Sequence, residues 1–415
     1  MKVIHLSYAD TIGGAARAAY RIHQAIYAAD IDSEMWVNSK HSQDWRIIGP
    51  NGKLDRAWKK IKPAIASHAL KSIFRTENSV THSPAIFKSD HINEINKSDA
   101  DLIHLHWVQG EMLSISDIGK IRKPVVWTMH DMWPICGAEH YAEDYRWRDG
   151  YKTLNRPIYE QGFDINRKIW LKKLREWRRE IQIVTPSRWL ERCVRESALM
   201  SKWPVTFIPN PINTDRWIPI EKSIARKILG LPMESRILLF GAVGGGSDPR
   251  KGFDLLIAAL KVLRTQSIKL DLVVFGESAP KIRLDLGFPI HYVGKLYDEA
   301  SLRLVYSAAN LFALPSRQDN LPNTGLEALA CGTPVVGFSI GGMPDIVENL
   351  KNGYLAKEND YADLANGIKW SLEENNELNL SRNSREFVLR NFNYPYIAKR
   401  YRDVYEKVLA KYSIK

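Results

Sequence analysis

The chain has little cysteine: three residues in 415, Cys136, Cys193 and Cys331, far apart and without a CxxC pair. That excludes a disulfide framework and a thiolate zinc site, and it suits a reducing compartment. No apolar run approaches the roughly 20 residues that span a bilayer. The opening MKVIHLSYAD enters a strand pattern directly, without the charged, apolar and cleavage regions of a signal peptide. A cytoplasmic location is therefore expected. No internal repeat, low-complexity tract or nucleic-acid-binding motif is visible, so nucleic acid is not expected as a partner. The GxGxxG dinucleotide fingerprint is missing too, and no acidic residue follows the second strand where a ribose would need one.

What is present describes a folded chain. Apolar residues make up 45% and charged residues 26%, a globular balance, and 415 residues exceed what one core usually fills. The net charge is +12, and much of the excess lies in two stretches. In Arg56 to Arg75, Lys59, Lys60, Lys62 and Lys71 interleave with Trp58, Ile61, Ile65 and Leu70. In Arg167 to Arg179, Lys172, Lys173 and Arg175 surround Trp170, Leu171, Leu174 and Trp177. Both read as basic amphipathic helices, suited equally to a solvated face and to peripheral contact with an anionic membrane at its inner surface.

Short apolar runs alternate with longer amphipathic segments through both halves, which predicts parallel βαβ units. Predicted strands are 3–7, 32–38, 102–107, 125–130 and 181–186, then 237–241, 270–275, 290–293, 311–314 and 335–338. Pro204, Pro209, Pro211 and Pro219 mark the boundary. The expected domains are 1–205 and 206–393, with a final helix near 394–411 returning to the first. The fold class is α/β, with two doubly wound Rossmann-like domains.

Several motifs could carry chemistry. Gly13-Gly14 follows the first strand and opens a helix, where backbone N–H groups can approach an anion, though a plain tight turn fits as well. His130 and Asp131 stand at a strand's carboxyl end, the ligand side of an open α/β sheet. His104 and His106, two apart, share a strand face with no carboxylate or cysteine at ligand spacing, so no metal is expected. Asp99-Ala100-Asp101 precedes its strand and reads as a polar strand entrance. In the second half, Phe240-Gly241-Ala242-Val243-Gly244-Gly245-Gly246 leads to Asp248-Pro249-Arg250-Lys251-Gly252 before a helix, an arrangement that suits a diphosphate. Asp319 lies in a polar loop, and Glu327 follows in a helix whose neighbours Leu326, Ala328, Leu329 and Ala330 are apolar. A carboxylate in that setting needs a partner.

The run from Asp319 through Glu327 to Ala328-Leu329-Ala330-Cys331-Gly332-Thr333-Pro334-Val335 closely resembles glycosyltransferase family 4, retaining enzymes of the GT-B fold. Gly341-Gly342-Met343-Pro344, Asn352-Gly353, Pro209-Asn210-Pro211 and Gly13-Gly14 fit the same pattern. The resemblance spans the whole chain. It departs at Asp319, where glutamate is usual, and at Ala242, where many members carry arginine. The wording around His104–Trp107 and His130–Trp133 is similar to the colanic acid and O-antigen branch.

The resemblance implies two domains facing across a cleft and a metal-independent retaining transfer without cofactor. A hexose would pass from a nucleotide-sugar donor to a glycan acceptor such as a lipid-linked oligosaccharide, in surface polysaccharide biosynthesis. Glu327 would hold the donor ribose, Asp319 a hydroxyl of the transferred sugar, and Lys251 with Arg250 the diphosphate. The loop Asn320, Leu321, Pro322 and Asn323 would line the donor, with backbone N–H groups of its non-proline residues assisting, Gly13 and Gly14 near the diphosphate and His130 over the sugar. His130, Lys251 and Asp319 are the catalytic candidates, and His106, Trp107 and Asp131 the acceptor-side ones. The alternatives are a non-catalytic sugar- or lipid-binding relative and a nicotinamide-dependent dehydrogenase, the latter disfavoured by the absent fingerprint.

Overall fold

The computed structural model describes residues 1–89, 91–241, 248–266, 268–276 and 285–413. The chain divides into two bodies, Met1–Pro211 with Ile397–Lys415, and Ile212–Tyr396. The division falls among the boundary prolines, beyond residue 205.

In the first body seven parallel strands run in the spatial order Ile47–Ile48, Asp32–Ser39, Lys2–Ala9, Leu102–Leu105, Val125–Thr128, Gln182–Thr185, Val205–Phe207. This is the dinucleotide-fold order with an added edge strand. Leu102–Leu105 and Val125–Thr128 are buried at every position, as strands covered on both faces must be. Beside the sheet, the indoles of Trp127, Trp133 and Trp177 form one cluster with centroids 5.3–6.4 Å apart. The two central strands end earlier than predicted, so His106, Trp107 and His130 occupy the loops just past them.

The helix Tyr394–Ser413 buries Ile397, Tyr401, Val404 and Tyr405, one face of a 3.6-residue period. Its attachment to the first body is polar as well as apolar. Tyr405 OH lies 2.7 Å from His104 Nδ1, Thr128 Oγ1 2.7 Å from His104 Nε2, and Tyr401 OH 3.1 Å from Thr128 Oγ1.

The two basic stretches behave differently. Helix Gly52–Ile73 buries only Lys62, Ala66 and Leu70, and leaves Leu54, Trp58, Ile61 and Ile65 exposed. The second helix, Ile165–Glu176, stops before Arg178, and Trp170, Trp177 and Lys173 are interior residues. The expected amphipathic surface of that stretch is therefore reduced to Leu171 and Leu174. Lys173 Nζ donates to the carbonyls of Trp133, Cys136 (3.0 Å) and Gly137 (2.7 Å), a full set of acceptors for an ammonium. Burial nevertheless pulls it down to about 7. Among the described residues no helix is long and apolar enough to cross a membrane.

The second body holds six parallel strands in the order Ile290–Gly294, Asp271–Phe275, Ile237–Gly241, Leu311–Leu314, Val335–Phe338, Gly353–Ala356. Ile237 and Leu239 enter one core and Leu238 and Phe240 the other, because successive side chains point to opposite faces. The helix Glu374–Asn391 was not predicted. It buries only Leu380, Ser384 and Val388, too sparse a stripe to read in the sequence.

Tyr405→Phe removes the hydroxyl facing His104 and leaves a buried ring nitrogen unsatisfied. A loss of about 1–3 kcal/mol is expected in urea unfolding. Unchanged stability would show that this contact does not anchor the helix.

Candidate active site

In each sheet the strand order reverses between the first and fourth strands in sequence, and ligands of such sheets bind outside the carboxyl ends there. In the second body those ends carry the turn Pro249–Lys251 and the loop 315–322. Residues 242–247, which include Ala242 and the glycine run 244–246, lie outside the described residues. The turn and the loop are bound tightly. Arg317 N donates to Arg250 O at 2.7 Å, and the Arg317 guanidinium reaches Pro249 O (2.9 Å) and both oxygens of Asp254 (2.7 and 2.5 Å).

Two glycines make this approach possible. A Cβ on Gly252, whose φ is +64°, would lie 1.9 Å from Pro315 O, and one on Gly341 2.0 Å from Asp319 O. No side chain fits either place.

The result is one constellation. Lys251 Nζ meets Asp319 Oδ2 at 2.7 Å. Arg250 is held by Asp248 through contacts of 2.7 and 3.2 Å, within its own turn. Asn320, Leu321 and Pro322 are buried, and helix Asn323–Ala330 follows, its N-terminus offering positive potential. Pro322 has no N–H, so it starts the helix without donating. Glu327 is 1% exposed and receives the Tyr306 hydroxyl at 3.2 Å. Burial, reinforced by the nearby Glu327 charge, pushes the Cys331 thiol up to about 12, which keeps it unreactive.

In the first body Gly13 and Gly14 open helix Gly14–Ala28 past the first strand. Past the next strands lies a chain of imidazoles. His5 Nδ1 is 2.9 Å from His106 Nε2, and His106 Nδ1 is 3.2 Å from His130 Nε2. Burial holds His5, His104 and His106 well below the ordinary imidazole range and lowers His130 to about 4, so all four are neutral near pH 7. Each ring then carries one proton. His5 Nε2 has no partner among the described residues. Protons pointing outward along the chain leave a lone pair there, whereas the reverse would bury an unpaired N–H, the rarer condition. His130 therefore accepts from His106 at Nε2 and carries its proton on Nδ1.

His5, His104 and His106 also bring ring nitrogens within 4.8 Å of one another, a cluster that chain spacing could not reveal because His5 comes from the adjacent strand. Both nitrogens of His104 face hydroxyls, those of Tyr405 and Thr128.

Asp131 is buried behind this surface. Its Oδ2 lies 2.6 Å from His140 Nδ1 and accepts from Trp107 Nε1 at 2.8 Å, and its Oδ1 accepts from Trp133 N at 3.0 Å. Burial alone would raise its carboxyl, but the His140 ring and these donors hold it below the usual range. Asp131 thus positions Trp107, while His106 supports His130. His140, the partner of Asp131, gives no sequence signal beyond being a histidine nine residues on.

Comparisons with known proteins agree with this geometry. Residues 12–216 match Glycosyltransferase Family 4, and residues 236–374 match Glycosyl transferases group 1. The D-inositol 3-phosphate glycosyltransferase of Saccharomonospora viridis is 30% identical over 48% of this chain and 49% of that protein. The protein of the same name from Thermobispora bispora is 26% identical over 88% of this chain and 79% of that one. The chain thus spans about half the length of the first relative. Anabaena Alr3699/HepE, solved in complex with UDP-glucose, shares the fold at a TM-score of 0.67 and 16% identity, covering 98% of this chain and 100% of that one. Fold and domain content together define a GT-B glycosyltransferase architecture. Residues 12–216 are thus similar to a family 4 glycosyltransferase domain, and residues 236–374 to a group 1 domain.

The buried neutral histidines predict acid lability. They stay unprotonated when folded but take protons near pH 6.5 when unfolded, so stability is fully present above that pH and is lost as pH falls towards 4. His23, lowered to about 4 by burial, alone contributes about 2 kcal/mol of loss between pH 7 and pH 5. Urea titrations at both values should show a smaller difference in His23→Gln; an identical difference would show that this ring does not titrate on unfolding.

Proposed function

We propose that the protein is a retaining, metal-independent hexosyltransferase that uses a nucleotide-sugar donor. The observation that carries this reading is the Lys251–Asp319 pair, whose acid stands in the loop leading into the helix that carries buried Glu327. It lies at the switch point of a domain matched to glycosyl transferases. The pair is half exposed on the lysine side, so it opens at little cost. Lys251 then turns to the diphosphate and Asp319 to a hydroxyl of the transferred sugar, while Glu327 takes the ribose. As the glycosidic bond breaks, negative charge grows on the leaving diphosphate. Lys251 and the N–H groups starting helix Asn323–Ala330 stabilise it, and these fixed donors do the work a divalent cation would otherwise do. Arg250 is a second cation of the same turn. His130, neutral, offers a hydrogen bond and no charge. A phosphate oxygen takes the proton of the attacking acceptor hydroxyl, so no protein nucleophile is needed.

Two relatives are named for a reaction on inositol phosphate, and the likeness to a structure holding UDP-glucose supports a nucleotide-sugar donor. We assign the acceptor to a hydroxyl-bearing glycan, a lipid-linked oligosaccharide of surface polysaccharide assembly. The motif wording around His104 and His130 and the exposed apolar and basic helix Gly52–Ile73 support it. That helix would meet an anionic membrane from its inner face.

Donor turnover measured with UDP-glucose, GDP-, dTDP- and ADP-sugars in EDTA tests the reading. Lys251→Ala and Glu327→Ala are each expected to lower the rate on the order of 10²-fold, as loss of a preorganised donor does. Activity abolished by EDTA would reject metal independence, and near-normal turnover in both variants would reject the assigned site. Gly252→Ala should also lose donor binding, seen as a vanished thermal shift, because its Cβ meets Pro315 O.

A further inference from the structure

Lys173 is wholly buried in the first body, and the transfer chemistry above gives it no part. It stands on helix Ile165–Glu176 with the interior residues Ile169 and Trp170. Its partners lie on the turn that follows His130 and Asp131. There Ile135 N and Cys136 N donate to Met132 O at 3.0 and 3.1 Å, one helical round that goes no further. Such a round ends in carbonyls that its own backbone does not satisfy, and in a dry interior they need a donor. The Lys173 ammonium meets the carbonyls of Trp133, Cys136 and Gly137 together, and lies 3.7 Å from the centroid of the Trp133 ring.

Trp133 connects this contact to the surface that carries His130. Its carbonyl takes the ammonium, and its N–H donates to Asp131 Oδ1 at 3.0 Å. Asp131 follows His130 directly, and its Oδ2 accepts from Trp107 Nε1 at 2.8 Å. Three hydrogen bonds thus lead from Lys173 to the Trp107 indole. Met132 N also donates to His140 O at 3.0 Å, and His140 Nδ1 faces Asp131 Oδ2, so the loop 131–140 closes on itself.

A buried ammonium is costly, and an apolar side chain of similar length fills such a space at lower cost. What the lysine adds is geometry, since three N–H groups set against three carbonyls restrict the turn to one arrangement. We infer that Lys173 is a positioning residue for the transfer, holding the turn after Asp131 so that Trp107 and His130 keep one orientation. The inference rests on the transferase reading above and concerns the first body alone.

Lys173→Met keeps the length of the side chain and removes its donors, whereas Lys173→Arg keeps a cation with N–H groups. Turnover of the four nucleotide sugars above is measured per folded molecule near pH 6, below the value of about 7 to which burial brings Lys173. In Lys173→Met, kcat should fall on the order of 10-fold or more, as misplacement of a reacting group does, while donor affinity changes less than about two-fold. Donor affinity is the control because Lys251, Asp319 and Glu327 all belong to the second body. Lys173→Arg should recover the rate at least in part; a merely structural role would lower thermal stability without this split. Unchanged kcat in Lys173→Met, with Lys251→Ala impaired, would overturn the inference and leave the transferase reading standing. A protein that turns over none of the four sugars would overturn both. If Lys173→Met does not fold, Lys173→Gln, too short to reach all three carbonyls, is read in the same way.

Discussion

The backbone oxygens of Pro315 and Asp319 lie so close to Gly252 and Gly341 that no side chain could stand between them. These two approaches lock three loops of the second body together: the turn with Arg250 and Lys251, the loop with Asp319, and the loop after strand Val335–Phe338. Much of the constellation depends on that lock. It brings Lys251 within 2.7 Å of Asp319 across 68 residues of sequence, and it fixes the loop that feeds helix Asn323–Ala330. Because the loops leave adjacent parallel strands, the sheet order supplies the coarse placement and the glycines the fine one.

The first body solves a different problem, that of keeping a row of imidazoles in a dry interior. Each ring is stabilised as the neutral form by burial and by a neighbour that takes or gives one hydrogen bond. His104 is closed off by hydroxyls of Thr128 and Tyr405, and Tyr405 comes from the far end of the chain. The row His5–His106–His130 is left with a single polar sense, which fixes the tautomer of the outermost ring. Asp131, beside the same surface, stiffens the wall behind Trp107 through its bonds to Trp107 and His140.

Much of this was legible in residue order. Ten strands were placed from apolar runs, since a buried parallel strand can hardly be written otherwise. The signature from Asp319 to Val335 and the glycines flanking it were visible because close backbone approach and helix starts demand particular residues at fixed spacing. Strands Ile47–Ile48, Val205–Phe207 and Gly353–Ala356 escaped, the first too short to show a period, the second set among prolines and the third opened by a glycine. The burial of Trp170, Lys173 and Trp177 also escaped. A basic amphipathic pattern reads the same whether its lysine faces water or three carbonyl oxygens.

The sequence by itself determined the alternation of strands and helices, the two-domain division and the acidic-loop and helix signature, because each is written in local spacing. Only the tertiary structure decided which residues touch: Lys251 with Asp319, Tyr306 with Glu327, His5 with His106, and Asp131 with His140. Those pairings join residues 9 to 101 positions apart. They depend on strand order and loop closure, which no local spacing encodes.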